Sequence, residues 1–158
     1  MLSMFYAALL PIPAWAQNES TDVSSACTLK DHIYTCDGAA LQRALSAATS
    51  VSIETHNIDG VARRQLTDLL TKKLGKTIAA EGAPADLVFL MLPVGQEGVV
   101  SDRPGGSDLG TLRIYSAGPG GTRDHLLWAE TFTGPLEMPW PAVVRGLILQ
   151  FQSRFHIK

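Results

Sequence analysis

Residues 86–92 have the sequence Asp-Leu-Val-Phe-Leu-Met-Leu, in which six consecutive residues are apolar, and Pro93 follows. An apolar run of this length that contains Val and Phe is typical of a strand in the centre of a sheet. A strand that is apolar at every position must be covered on both faces. We therefore expect the other elements to be organised around this strand, with its second face covered either by residues 27–48 or by a partner protein.

The composition indicates a globular protein with one domain. Of the 158 residues, 46% are hydrophobic and 18% are charged, whereas a disordered chain is poorer in large apolar residues and richer in charge. Thirteen basic and fifteen acidic side chains nearly cancel, so the positive field on which nucleic-acid binding depends is missing. We expect no nucleic-acid partner.

The first 16 residues carry no charged side chain and predict a signal peptide. Their apolar core is followed by Ala14-Trp15-Ala16, which places small residues where a signal peptidase accepts them. The run is shorter than the roughly 20 residues that span a bilayer, so a retained anchor is the weaker alternative. We expect cleavage near Gln17, no stable membrane anchor afterwards, a periplasmic or secreted protein, and a mobile leader over residues 17–26.

Cys27 and Cys36 are the only cysteines, and both follow the predicted cleavage point. An even pair in an oxidising compartment indicates a disulfide, here closing a short hairpin. A zinc site would need two further ligands, and although His32 lies between the cysteines, no Cys-x-x-Cys or His-x-x-x-His spacing is present. We predict a structural disulfide, no metal site and no cofactor.

The pattern of apolar residues predicts the remaining elements. Asp37 is suited to cap a helix that extends to about residue 48. The other elements are a strand over 51–56, a helix over 60–74 that Gly75 ends, a short strand over 77–80, strands over 111–117 and 125–133 joined by a turn, and a helix over 141–155. This order predicts an α+β fold over residues 27–158: a two-layer domain with a mixed, mostly antiparallel sheet of four to five strands and two main helices on one face.

Residues 94–108 form a long polar connection after the apolar strand. A loop of this length inside a compact domain is either functional or mobile. Its glycines lack the spacing of a phosphate-binding loop. As a functional loop it would contact a partner through its charged and amide side chains, which are Gln96, Glu97, Asp102, Arg103 and Asp108.

No recognisable catalytic motif accompanies the four histidines. Asp124 and His125 are adjacent in a predicted strand, where neighbouring side chains point to opposite faces, so we expect no hydrogen bond between them. Asp86 is better suited to cap the start of a strand than to act in catalysis. Trp128, Trp140 and Phe151 lie within apolar patterns and are expected in the core. The sequence therefore favours a non-catalytic protein.

Several segments together suggest a family: Ala-Asp-Leu-Val-Phe at 85–89, the Gly-rich loop, Gly-Thr-Leu-Arg-Ile at 110–114, Leu-Trp-Ala at 127–129 and Ile-Leu-Gln-Phe at 148–151. In these segments the chain resembles an uncharacterised family of exported bacterial envelope proteins and accessory lipoproteins, and the resemblance covers about residues 51–155. It implies a small α+β domain and an interaction or accessory role in the envelope, with an envelope protein or a second copy as partner. A small periplasmic hydrolase and a ligand-binding domain are the alternatives.

Overall fold

A computed structural model describes residues 26–30, 33–56, 60–95 and 108–158. The predicted signal peptide and residues 17–25 of the predicted leader lie outside this range. The described elements are β1 (Cys27–Lys30), β2 (Ile33–Cys36), α1 (Gly38–Ala47), β3 (Ser50–Thr55), α2 (Gly60–Asp68), β4 (Thr77–Ile78), β5 (Leu87–Pro93), β6 (Asp108–Ala117), β7 (Arg123–Thr133) and α3 (Trp140–Arg154). The fold is α+β, as the sequence predicts.

The main sheet has five strands in the order β4-β3-β5-β6-β7, so the apolar strand β5 is central. Strands β4 and β5 both run parallel to β3, whereas β6 and β7 add antiparallel strands on the other side of β5. The sheet is therefore mixed, and its antiparallel ladders are the longer ones. Because β3 and β5 are parallel, they need the long connection that α2 supplies.

The main core lies between one face of this sheet and the three helices. Phe89 of β5 packs on Phe151 of α3 with ring centroids 6.1 Å apart, and Leu66 of α2 belongs to the same buried cluster. Leu41 and Leu45 of α1 are also buried in this cluster. The prediction that both main helices share a face is confirmed, and α1 joins them there instead of covering the second face of β5.

On that second face, Val88, Leu90 and Leu92 are buried, although the described helices pack on the opposite face. Val94 and Tyr115 pack against Leu90 and Leu92 on this face. Arg113 lies opposite Leu90 in the neighbouring strand, and its guanidinium lies 5.5 Å from the ring centroid of Tyr34 in β2. These apolar side chains are thus buried within a single chain.

The N-terminal hairpin is formed as the sequence predicts, with β1 and β2 antiparallel and Cys27 joined to Cys36. Cys36 packs against the main core. Asp37 then caps α1 by accepting a hydrogen bond of 2.9 Å from the backbone N–H of Ala39. Since β2 reaches the second face and α1 lies on the helical face, the chain passes from one to the other around the edge strand β7, which both elements contact.

The predicted helix over 60–74 differs from the observed one. Helix α2 ends at Asp68 and continues as a π-helical turn, Leu69–Lys73, in which the N–H of Leu74 donates to the carbonyl of Leu69. Both Leu69 and Leu70 are buried, and the wider turn allows two consecutive leucines to face the core. Gly75 ends the helical segment with a φ of 64°, as predicted.

Candidate functional site

Four of the predicted partner-binding residues, Gln96, Glu97, Asp102 and Arg103, lie outside the described residues. Asp108 is the first residue of β6, where it is buried and pairs with Thr133 of β7. The strand begins three residues before the predicted start at 111. Asp108 therefore belongs to the sheet and not to an exposed loop.

A cleft of about 630 Å³ lies beside β3 at one edge of the sheet. Its floor is formed by residues 52–55 of β3, and Gly60 and Arg63 at the start of α2 form one wall. Residues 79–83 and the tip of the β6–β7 hairpin at 120–121 form the other walls. Four segments of the chain thus meet at this site.

The cleft exists because β4 is much shorter than β3. Strand β4 pairs only with Ser50 and Val51, and the last hydrogen bond on this side runs from the N–H of Ala79 to the carbonyl of Val51, at 2.9 Å. The chain then turns away from the sheet through a hydrogen bond from the N–H of Ala83 to the carbonyl of Ala80. Among the described residues, the rest of β3 has a strand only on its β5 side.

The tip of the β6–β7 hairpin closes one end of the cleft. Gly121 has a φ of 75°, and a Cβ atom at this position would lie 2.6 Å from the carbonyl oxygen of Ala83. Glycine is thus required both by the backbone conformation and by the close approach of the two segments. The sequence predicted the turn at 118–121, but gave no indication that it forms the wall of a cleft.

The charged side chains at the cleft are held by neighbours. Arg63 donates from Nη2 to the carbonyl of Ile53 at 3.1 Å. Glu54 Oε2 lies 2.8 Å from Nε of Arg123, whose guanidinium lies 5.9 Å from the ring centroid of Tyr115. These contacts fix the shape of the cleft and leave the exposed side chain of Glu81 at its outer wall.

Asp86 has the structural role that the sequence predicts. Its Oδ2 accepts four hydrogen bonds, from the backbone N–H and the hydroxyl of both Thr49 and Ser50, at 2.8–3.1 Å. Hydrogen bonds from the backbone of Ser50 and Thr49, followed by those from their hydroxyls, lower the pKa of Asp86 to about 2. This carboxylate therefore joins the start of β3 to the start of β5.

Glu130 is a buried acidic residue that the sequence analysis missed. It points to the helical face of the sheet, where burial raises the pKa of its carboxyl, while Arg154 and Trp128 oppose this shift. Nε of Arg154 and Nε1 of Trp128 each lie 3.5 Å from one of the carboxylate oxygens. A perturbed carboxyl can indicate a functional site. The neighbouring hydroxyl of Thr111 donates to the backbone carbonyl of Glu130 at 3.0 Å and not to its carboxylate. Nor do the described residues contain a group of His, Cys, Asp and Glu arranged to hold a metal ion.

The side chains of Asp124 and His125 are in contact, although alternation in a regular strand predicts that they point to opposite faces. Their side chains are both half exposed, and Oδ2 of Asp124 lies 3.5 Å from Nε2 of His125. The reason is that the pairing of β6 with β7 is irregular near Tyr115 and Ala117, which disturbs the regular alternation of side chains. Ser116 is close by, but its hydroxyl accepts a hydrogen bond of 3.0 Å from the backbone N–H of His125. The three residues therefore do not form a serine–histidine–aspartate relay.

Comparison with protein-family models, with curated proteins and with solved structures finds no match to this chain. The fold is therefore described by its own topology, and the resemblance to exported envelope proteins stays a prediction. The disulfide between Cys27 and Cys36 is compatible with a location outside the cytoplasm. Within the part of the chain that the structure describes, no helix is long and apolar enough to cross a membrane.

Proposed function

We propose that this protein is an exported, non-catalytic protein of the bacterial envelope that acts as an interaction or accessory module, with the cleft beside β3 as its binding site. The observation that carries this proposal is the cleft itself. It brings together β3, the start of α2, residues 79–83 and residues 120–121, and its volume lies within the usual range for ligand sites. Gly121 maintains its wall at a position where any side chain would collide with Ala83.

Export is supported by two independent features. The charge-free apolar segment of residues 1–16 has the pattern of a signal peptide, and the disulfide needs an oxidising compartment to persist. The resemblance to envelope proteins over residues 51–155 agrees with both. The protein is accordingly proposed to be periplasmic or secreted, without a stable membrane anchor after cleavage.

The absence of catalysis is proposed because the perturbed titratable groups have structural roles. Asp86 joins two strands, and Glu130 is held by Arg154 within the core. An acyl-transfer site would need a nucleophile, a base and an oxyanion donor that converge on one point. The described residues supply no such convergence in the cleft, where Arg63 and Glu54 are engaged by their neighbours.

A small periplasmic hydrolase is the second candidate, and the contact between Asp124 and His125 is the observation that favours it. It requires Ser116 or another nucleophile to reach the imidazole on substrate binding. Turnover of an ester or peptide substrate that is lost in His125→Ala would establish this alternative and overturn the proposed function. A small-molecule binding domain is the third candidate and would use the same cleft.

Photo-crosslinking in the envelope tests the proposed site. A photoreactive amino acid at Ala80, which is exposed in the cleft, should give a discrete adduct that is absent when it is placed at Ala47 on α1. Placing it at Arg103 tests the predicted loop as a second contact. Equal labelling from Ala80 and Ala47 would contradict binding at the cleft. Mass spectrometry of the exported chain should show a start near Gln17.

A further inference from the structure

The free part of β3 presents backbone groups to the cleft. Along a strand, the hydrogen-bonding groups of successive residues point alternately to the two neighbouring strands. The carbonyls of Thr49 and Val51 accept hydrogen bonds from β4 and from Ala79, and the carbonyl of Ser50 accepts one from Asp86 on the β5 side. The alternation therefore directs the N–H and C=O groups of Ile53 and Thr55 into the cleft, where β4 has already ended.

The space beside these groups has the dimensions of an extended chain. Residues 52–55 form four positions of β3, which at about 3.3 Å per residue correspond to an edge of about 13 Å. The facing wall contains Ala79 and Ala80, which carry only methyl groups, and Gly82, which has no side chain, so a second backbone can approach. Arg63 donates to the carbonyl of Ile53 through its side chain, and a carbonyl oxygen has a second lone pair that accepts another donor.

We propose that the cleft binds an extended peptide segment of a partner protein, which adds a strand to the sheet beside residues 52–55 of β3 in the place where β4 stops. This inference rests on the proposed function, because it names the partner chemistry for the same cleft. Main-chain hydrogen bonds to Ile53 and Thr55 supply the affinity, and side chains at alternate positions of the peptide contact the walls.

The geometry favours a peptide over other occupants because β3 presents a repeating pattern of backbone N–H and C=O groups to the cleft. A free sheet edge with alternating donors and acceptors is complemented by another main chain in extended conformation. The side chains at the cleft are not arranged for a charged small molecule, since Glu54 is paired with Arg123 and Arg63 is bound to Ile53. The small residues of the wall lie where a polypeptide backbone needs room.

The test begins with peptides selected from a displayed random library on the purified, exported chain. Each selected peptide is then synthesised with one backbone amide methylated at a time, which removes the donor and adds bulk. Strand addition predicts a period of two: methylation at every second amide weakens binding roughly tenfold, and methylation at the intervening amides has little effect. Amide hydrogen exchange at Ile53 and Thr55 should slow when the peptide binds.

Two variants locate the binding. Ala80→Trp fills the cleft and should abolish peptide binding, whereas Ala47→Trp places the same side chain on α1 outside the cleft and should leave binding unchanged. Circular dichroism confirms that each variant is folded, and Glu81→Trp replaces Ala80→Trp if the latter is not. The proposal would be overturned if no selected peptide loses its binding to the Ala80→Trp or Glu81→Trp variant.

The outcomes separate this inference from the proposed function. Suppose that Ala80→Trp abolishes peptide binding, but that methylation shows no alternation and the amides of Ile53 and Thr55 gain no protection. The cleft would then remain a binding site, and strand addition would be overturned. Conversion of a dimer to a monomer by Ala80→Trp, without a competing peptide, would identify a second copy as the occupant and overturn the partner peptide. A crosslink from Ala80 in the envelope together with failure of peptide selection would refute only the further inference.

Discussion

Loss of the disulfide should destabilise the whole domain and not only the hairpin. Cys27 and Cys36 are nine positions apart, and in the chain-entropy account a closed loop of about ten residues stabilises the folded state by about 2.7 kcal/mol. Both sulfurs remain when the bridge is reduced, so reduction isolates the effect of the bond. For a domain of this size, the expected fall in Tm is on the order of 10 °C.

The effect should extend to the sheet because the N-terminal segment shares its core. Leu41 of α1 is fully buried in the same cluster as Phe89 of β5. A Cβ atom built on Gly38 would lie 3.6 Å from the ring of Phe155 and 3.9 Å from that of Trp128, so the start of α1 packs directly on the core. We therefore expect one cooperative transition in which residues 27–48 and the sheet unfold together.

The assay compares the oxidised and reduced protein by urea unfolding and by amide hydrogen exchange at Leu41 and Phe89. Both amides should lose protection by the same amount on reduction, because both exchange through global unfolding. The matched variant carries both Cys27→Ala and Cys36→Ala. Its free energy of unfolding should be lower than that of the reduced protein, because the substitution also removes the buried sulfur of Cys27. Loss of protection at Leu41 with unchanged protection at Phe89 would refute the shared core, and an unchanged Tm would refute the entropy argument.

Three further predictions concern single side chains. Asp86→Asn should lower Tm at pH 7. The difference from the wild type should disappear as the pH falls from 3.8, the ordinary pKa of the carboxyl, through its folded-state pKa of about 2, because a carboxyl with a lowered pKa stabilises the fold only while it is ionised. A difference in Tm that is constant with pH would contradict this prediction. Glu130→Gln should raise Tm at pH 7, since burial disfavours the ionised carboxyl. The wild type is expected to lose stability as the pH rises above 4.5, and the variant should lack this loss. An unchanged slope of Tm against pH in the variant would count against the prediction. Gly121→Ala should lower the free energy of unfolding more than Gly120→Ala does. A side chain at a positive φ costs about 1–2 kcal/mol at either position, but only at Gly121 does the new Cβ atom collide with Ala83. Equal free energies of unfolding for the two variants would mean that the hairpin tip moves freely.

Local signals in the sequence were sufficient for much of the fold. The apolar run at 86–92 identified the central strand, because a segment without polar positions has to be buried on both faces. Two cysteines allow a single pairing, and Asp37 and Gly75 mark helix ends through the conformations and hydrogen bonds that their own side chains favour or permit. Each of these signals depends on residues that are close in the chain.

The sequence alone did not reveal the cleft, the burial of Glu130 or the contact between Asp124 and His125. The cleft results from the difference in length between β3 and β4, together with the approach of Gly121 to Ala83, and both depend on how distant segments pack. Glu130 occupies a strand position that has no distinctive pattern, and its pKa is raised only because the folded chain buries it beneath α3. Local chemistry therefore determined which elements form. Tertiary packing decided which backbone groups at a sheet edge lack a neighbouring strand and which ionisable side chains are buried away from solvent.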